Sequence, residues 1–304
     1  MKNFYLITLF MCLSNLQAWA TGSSEKAVYD LIERVTPGYA SQYRLEIIPS
    51  ENGNDVYEVD GDGQKIILRG NNAVSLATAF NWYLKYTCHA HVSWFGNQLE
   101  LPEKLPQPAH KERRIINGKY RVYMNYCTVS YTAAWWNWER WQQELDYMAM
   151  NAINMPLFSV GLDGVWYNTL LRFNFTEEEA RAFLTGPGHS AWQWMQNIQS
   201  YGGPLPKSVI DKHVALGKKI LARQLELGMQ PIQQGFSGYV PRELQKKYPQ
   251  AKISMKRKWC GFDGTAQLDP TDPLFHEMGL AFLEEQDKLF GSYGAYAADP
   301  FHES

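Results

Sequence analysis

Residues 120–158, YRVYMNYCTVSYTAAWWNWERWQQELDYMAMNAINMPLF, restrict the fold more than any other part of the chain. Arg121 to Cys127 alternates and is rich in β-formers, the pattern of a strand with two unlike faces. From Trp138 the apolar residues fall at Trp138, Trp141, Leu145 and Met148, three- and four-residue steps that put them on one side of a helix. Asn137 stands ahead of that helix as an N-cap. Ala152 to Val160 is then an apolar run of strand length, which suits a buried parallel strand. Strand, loop, helix and strand in this order make one unit of a parallel α/β fold. The loops after the strands of such folds carry the ligand site. Asn125, Cys127, Tyr131, Trp135 and Trp136 therefore become site candidates, and Trp138 and Trp141 are expected in the core.

The flanking sequence extends the pattern in both directions. Residues 24–110 predict a small α/β domain. Glu25 to Val35 has a helical face of Val28, Leu31, Ile32 and Val35, ending near Pro37-Gly38. Strands are expected at Leu45–Ile48, Val56–Val59 and Lys65–Leu68, the last two joined by the turn Asp60-Gly61-Asp62-Gly63. A helix over Asn72–Tyr86 carries Ala73, Leu76, Ala77, Phe80 and Leu84 on one face. Pro102 to Lys111, with three prolines, reads as a linker. Downstream, Gly161 to Ser208 is a long insertion, and Pro206 to Gly228 is an amphipathic helix ending in glycine. Met229 to Gln234 is the third strand. Residues 235–268 form a second excursion. Asp272 caps a helix over 273–290, and Gly294 to Asp299 is the fourth strand. Residues 115–304 thus give four strand–helix units of a (β/α)8 barrel. Such a barrel needs about eight, so the expectation is its first half, from a truncated chain. Gln233 and Gln234 sit at a strand's carboxyl end, either as pocket groups or as loop hydrogen-bonders.

Several long blocks resemble the α-N-acetylglucosaminidases, glycoside hydrolase family 89. They are YRVYMNYCTVSY–WWNWERWQQELDYMAMNAINM, TGPGHSAWQWMQNIQSYGGPLPKS at 185–208, GMQPIQQGFSGYVP at 228–241, LDPTDPLF at 268–275 and YGAYAADPFHE at 293–303. The resemblance implies an exo-acting, retaining glycosidase that removes terminal α-linked N-acetylglucosamine (GlcNAc), with two glutamates about 5 Å apart as acid/base and nucleophile. It implies no metal and no other cofactor, and a GlcNAc-terminated glycan as the partner. It aligns Trp192, Met195 and Asn197 with the sugar pocket, where Trp194 replaces the family's usual Arg and Gln196 its usual Gly. Asn125, Cys127, Trp135 and Trp192 are expected to grip the sugar, with Trp136 beside them. Glu303 follows the fourth strand, where barrels place catalytic groups, and the family block ending in Asp-x-Phe-x-Glu makes it the acid/base. His302 stands beside it where the family usually has Asn. The nucleophile is expected beyond Ser304. The alternative is a sugar-binding or inert fragment without turnover.

A formal net charge of −2 over 304 residues gives no electrostatic footprint for nucleic acid. The 11 Trp and 18 Tyr suit sugar stacking and a large core equally. Residues 1–20 read as a signal peptide, with Lys2, the apolar run Phe4 to Leu13 and an Ala18-Trp19-Ala20 cleavage site. The apolar run is too short for a membrane span, so a secreted or periplasmic protein is expected. Cys12 raises a lipoprotein reading, which Met11 before it disfavours. Cleavage leaves Cys88, Cys127 and Cys260, which form no disulfide framework. CHAHVSW at 88–94 lacks evident third and fourth ligands for zinc. Glu177, Glu178 and Glu179 suit a solvated helix start, Lys252 to Lys258 a solvated face, and Asp269 and Asp272 a turn and cap.

Overall fold

A computed structural model of the chain describes residues 24–298. These fall into two compact units. One contains the residues up to Tyr123 with Gln142–Pro156 and Arg223–Gln230; the other contains Met124–Trp141, Leu157–Ala222 and the residues from Pro231 onward.

In the first unit, α1 (24–35) precedes strands β1 (Tyr43–Ile47), β2 (Asp55–Gly61) and β3 (Ile66–Gly70) and helix α2 (Ala73–Tyr86). The β2–β3 turn closes because the Asp62 carboxylate accepts hydrogen bonds from the Gln64 and Lys65 amides at 2.9 and 2.7 Å, an Asx turn. Asn72 and Ser75 form a reciprocal capping box on α2. The anticipated α2 face is fully buried, as are Val28, Leu31 and Ile32 of α1. At about 25 cal/mol per Å² of apolar surface, this burial is the main force holding the layer together. Tyr43 joins sheet to helix by edge contacts with Phe80 and Tyr83, ring centroids 5.5 and 5.7 Å apart.

A fourth strand, β4 (Glu112–Ile116), extends the sheet beyond the expected linker, giving the order β1-β3-β2-β4. Only β1 and β3 run parallel. β4 begins with three charged residues because it is an edge strand, and charge is how edges avoid further pairing. Arg113 and Lys111 both bond Glu58. The same unit contains β5 (Val122–Tyr123), paired in parallel with β6 (Met155–Pro156), and most of α4 (Trp138–Met150). The Asp146 carboxylate of α4 accepts two hydrogen bonds from Arg34 of α1, each 2.8 Å.

The strand expected over Arg121–Cys127 is thus two residues long. Met124 turns to φ 65°, and Asn125 caps a helix, α3 (Tyr126–Tyr131), by accepting the Thr128 N–H. An Asn side chain offers the backbone a local partner that competes with the sheet ladder. β6 is equally short; its next residue, Leu157, forms a parallel bridge with Ile232.

In the second unit, β7 (Gln233–Gln234) pairs in parallel with β11 (Tyr296–Ala297). The expected insertion contains α5 (Leu162–Leu171), α6 (Glu177–Phe183) and α7 (Ser190–Trp194), followed by α8 (Lys207–Glu226). Eight of the ten α5 residues are buried, so no polar face marks the helix in the sequence. Trp166 of α5 packs on Phe183, Tyr239 and Phe282, with centroids 5.5, 5.7 and 5.0 Å away. Gly217 lets α8 approach β6's exit: a Cβ there would stand 2.4 Å from the Val160 carbonyl. The later excursion folds as β8 (Tyr239–Val240), α9 (Leu244–Lys247), β9 (Ile253–Met255) and β10 (Ala266–Leu268), a small antiparallel sheet. Asp272 caps α10 (Pro273–Phe290) by accepting the Leu274 N–H.

Each unit thus contains one two-stranded parallel sheet, β5 with β6 and β7 with β11, and the chain order of these strands with α4, α8 and α10 is the succession of a (β/α)8 barrel. Among the described residues no helix is long and apolar enough to cross a membrane. The expected signal peptide lies outside them.

Candidate active site

Of the residues expected to hold a sugar, Asn125 and Cys127 belong to α3 and its cap, and Trp192, Met195 and Asn197 to α7 and the turn after it; the two helices pack together. The Ser130 hydroxyl accepts the Ala191 N–H at 2.9 Å and donates to the Pro187 carbonyl at 3.3 Å. This clamp sets the Tyr131 ring edge-on to Trp192, centroids 4.9 Å apart at 89°, and places the Cys127 Sγ 3.9 Å from the Met195 Sδ. Tyr131 is 76% exposed, whereas Met195 and Asn197 are buried. Aromatic rings and two soft, polarisable sulfur atoms thus meet where α3 packs on α7. Asn125 spends its side-chain oxygen on the Thr128 amide and hydroxyl, at 3.0 and 2.9 Å; among the described residues nothing takes its two N–H donors.

Two positions where the chain departs from the resembled pattern have structural consequences. Gln196 adopts φ 69°, a left-handed conformation that favours glycine. It is retained by its own contacts: its amide donates to the Ser237 hydroxyl, its carbonyl accepts from Thr265 at 2.6 Å, and its side-chain oxygen accepts from Lys256 at 3.4 Å. Trp194 is buried, which a charged arginine at that depth would not tolerate without a partner.

The strand-end glutamines prove to be internal struts. The Gln233 amide donates to the Gly291 carbonyl at 2.8 Å, and its oxygen accepts the Tyr293 N–H at 3.1 Å. Gln234 accepts from the Tyr126 hydroxyl and donates to Gly235. Both are buried, so satisfied hydrogen bonds account for them. Glu179 likewise closes a capping box with Thr176 and pairs with Lys247 at 2.9 Å.

Trp135 and Trp136 stand elsewhere. Together with Trp141 and Trp194 they line a cavity of about 520 Å³ whose lining residues do not include Cys127, Trp192 or Met195. Trp136 sits edge-on to Trp141 and beneath the Arg140 guanidinium, 3.9 Å from the ring centre. Trp141 is 3% exposed, as a core residue should be, but Trp138 is only half-buried. The same cavity contains a pair that no motif announced: His213 Nδ1 lies 2.6 Å from the buried Asp163 carboxylate. Among the described residues no cluster of three His, Cys, Asp or Glu side chains has a metal-holding arrangement. Glu303 and His302 lie outside the described residues.

A family model for the α-N-acetylglucosaminidase TIM-barrel domain matches residues 121–304. This chain belongs to the α-N-acetylglucosaminidase family. The corresponding N-terminal domain model matches residues 26–107, so the small α/β layer and the parallel units are those two parts of the family's architecture. Human α-N-acetylglucosaminidase is 35% identical over 286 residues, covering 91% of this chain and 38% of that protein. A family 89 glycoside hydrolase from Clostridium perfringens, solved with 2-acetamido-1,2-dideoxynojirimycin, superposes with a TM-score of 0.91 at 34% identity, over 98% of this chain and 35% of its own. The same enzyme carrying two Glu→Gln substitutions, solved with its substrate GlcNAc-α-1,4-galactose, gives a TM-score of 0.91 at 33% identity, with the same coverage. The chain thus spans little more than a third of the length of these relatives.

Proposed function

We propose that this chain is part of a secreted or periplasmic, exo-acting, retaining α-N-acetylglucosaminidase, and that it supplies the half of the site that grips the terminal sugar. The observation that carries the reading is the α3–α7 clamp. It gathers Trp192 and Met195, which the family blocks align with the pocket, and Cys127, a candidate from the loop after the first barrel strand. The Clostridium relative's substrate, GlcNAc α-linked to galactose, sets the expected class: a glycan capped by α-linked GlcNAc. Asn125 and Asn197 provide polar groups for the acetamido and hydroxyl substituents, and Trp192 with Tyr131 an apolar platform for the ring. Glu303 is the proposed acid/base, with His302 beside it. A retaining mechanism needs a second carboxylate about 5 Å away. We place that nucleophile outside residues 1–304, because the chain spans only about a third of its relatives.

The test compares two tryptophans. Trp192→Ala is expected to weaken GlcNAc binding about tenfold, near the value of one lost aromatic platform, with an unchanged melting curve. Trp141→Ala should leave affinity intact and cost roughly 3–5 kcal/mol of stability, as deleting a buried aromatic does. Titration calorimetry and thermal denaturation read both. A stable Trp141→Ala protein that has lost GlcNAc would overturn the assignment.

A further inference from the structure

The cavity lined by Trp135 and the Asp163–His213 pair has no part in holding the terminal GlcNAc in the reading above. Its volume, about 520 Å³, lies within the range of small-ligand sites, and its lining follows their pattern of apolar walls with few converging polar groups. Trp135, 79% exposed among the described residues, presents a large flat apolar ring at the cavity rim. Trp194 closes the cavity from α7.

The polar groups have a definite charge order. Asp163 is buried and already committed, one oxygen to His213 Nδ1 at 2.6 Å and the other to the Gly164 N–H at 3.1 Å. That bond fixes the imidazole and turns its other nitrogen away from the carboxylate. Asp163 also holds the His213 pKa above its ordinary value even though burial opposes the charge, so the ring donates from both nitrogens at mildly acid pH. Lys212, the neighbouring residue on α8, lines the same cavity and is paired with no acid among the described residues. With Asp163 balancing His213, the ammonium is the uncompensated charge. An exposed aromatic ring and a cation at one cavity match a ligand with an apolar ring face and an anionic edge.

We propose that this cavity is a second saccharide site, separate from the Trp192 cluster, and that it takes an acidic pyranose such as a hexuronate. The pyranose C–H face lies on Trp135, and its carboxylate accepts hydrogen bonds from Lys212 and His213.

Methyl β-D-glucuronide and methyl β-D-glucoside differ only at C6 and make the decisive pair. Saturation-transfer NMR and calorimetry on the 304-residue chain at pH 6 should show the glucuronide binding about tenfold more tightly, the value of a charge-assisted hydrogen bond. Lys212→Met should erase that preference and leave GlcNAc affinity unchanged. Trp135→Ala, at an exposed position, should weaken both glycosides while the fold persists. Equal binding of the two glycosides, no binding of either, a preference that survives Lys212→Met, or displacement of the glucuronide by GlcNAc would each overturn the proposal. Loss of GlcNAc binding alone would instead strike only the primary site, since GlcNAc is titrated separately.

Discussion

Burial on its own would lower the pKa of His213, because it disfavours the charged ring, but the hydrogen bond and charge of Asp163 outweigh it and the net shift is upward. A folded pKa above the unfolded value of about 6.5 means that the folded protein binds the proton more tightly. The pair's stabilisation is therefore fully present below about pH 6.5 and is lost as pH rises through the folded value. Asp163→Asn removes the opposing influence and leaves burial, so His213 should then titrate below about 6.5. The His213 Cε1 proton shift, followed by NMR from pH 5 to 9, checks both directions; an unshifted midpoint in Asp163→Asn would show that the contact has no electrostatic weight. Nothing in the sequence pointed to this pair. Its members are 50 positions apart, and neither Gly-Leu-Asp-Gly nor Asp-Lys-His is a motif. The caps at Asn137 and Asp272 were legible because each bond is local, spanning two or three residues. Trp135 and Trp136 were read as pocket residues by their position in a loop. The loop does border a cavity, but nothing in the sequence tells that Trp192 is not part of its lining.

Elements declared themselves where one face met solvent. The helices over 24–35, Lys207–Glu226 and Pro273–Phe290 carry such faces and were anticipated; α5, buried nearly all round, was not. Strand lengths were overread for a related reason. β5 and β6 are apolar well past the two residues that pair, so composition overstated the ladder. The turn after α7 offers a test of backbone strain. A non-glycine residue in the left-handed region costs roughly 1–2 kcal/mol, and Gln196 offsets this with its bonds to Ser237, Thr265 and Lys256. Gln196→Ala keeps the strain and loses the side-chain bonds, whereas Gln196→Gly loses both. The glycine variant should therefore be the more stable of the two by about 1 kcal/mol in urea titrations, and the reverse order would exclude strain at this turn. Between α1 and α4, Arg34→Met should cost roughly 3 kcal/mol, since it leaves Asp146 buried with only Arg223, 3.8 Å away, in support. A melting temperature within 1 °C of wild type, on the order of a few tenths of a kcal/mol, would mean that Arg223 compensates fully.

At the scale of the whole molecule, the order of strand–helix units was legible because it depends on succession rather than on precise boundaries. A layer of three strands and a helix, then parallel units with long loops, allows few architectures. What succession cannot supply is the chemistry, which in such barrels gathers from several strand ends. Glu303, the proposed acid/base, follows β11 by six residues in the sequence, counting from Ala297. A glycan leaving group is a poor one, and its oxygen must be protonated as the bond breaks, so the acid is indispensable there. An aryl glycoside with an acidic phenol leaves with little help. In the whole enzyme, Glu303→Gln should therefore reduce hydrolysis of GlcNAc-α-1,4-galactose by about 10³-fold or more, within the usual range of general acid catalysis. It should slow formation of the glycosyl-enzyme from a dinitrophenyl glycoside far less. The second step still lacks its base, so the intermediate should accumulate, and azide, a nucleophile that needs no deprotonation, should restore turnover as a glycosyl azide. His302→Asn, which returns the residue usual in the family, should retain activity if its part is only to orient the sugar. Wild-type rates on the disaccharide in Glu303→Gln, or an azide product absent while aryl hydrolysis persists, would remove Glu303 from the acid/base role.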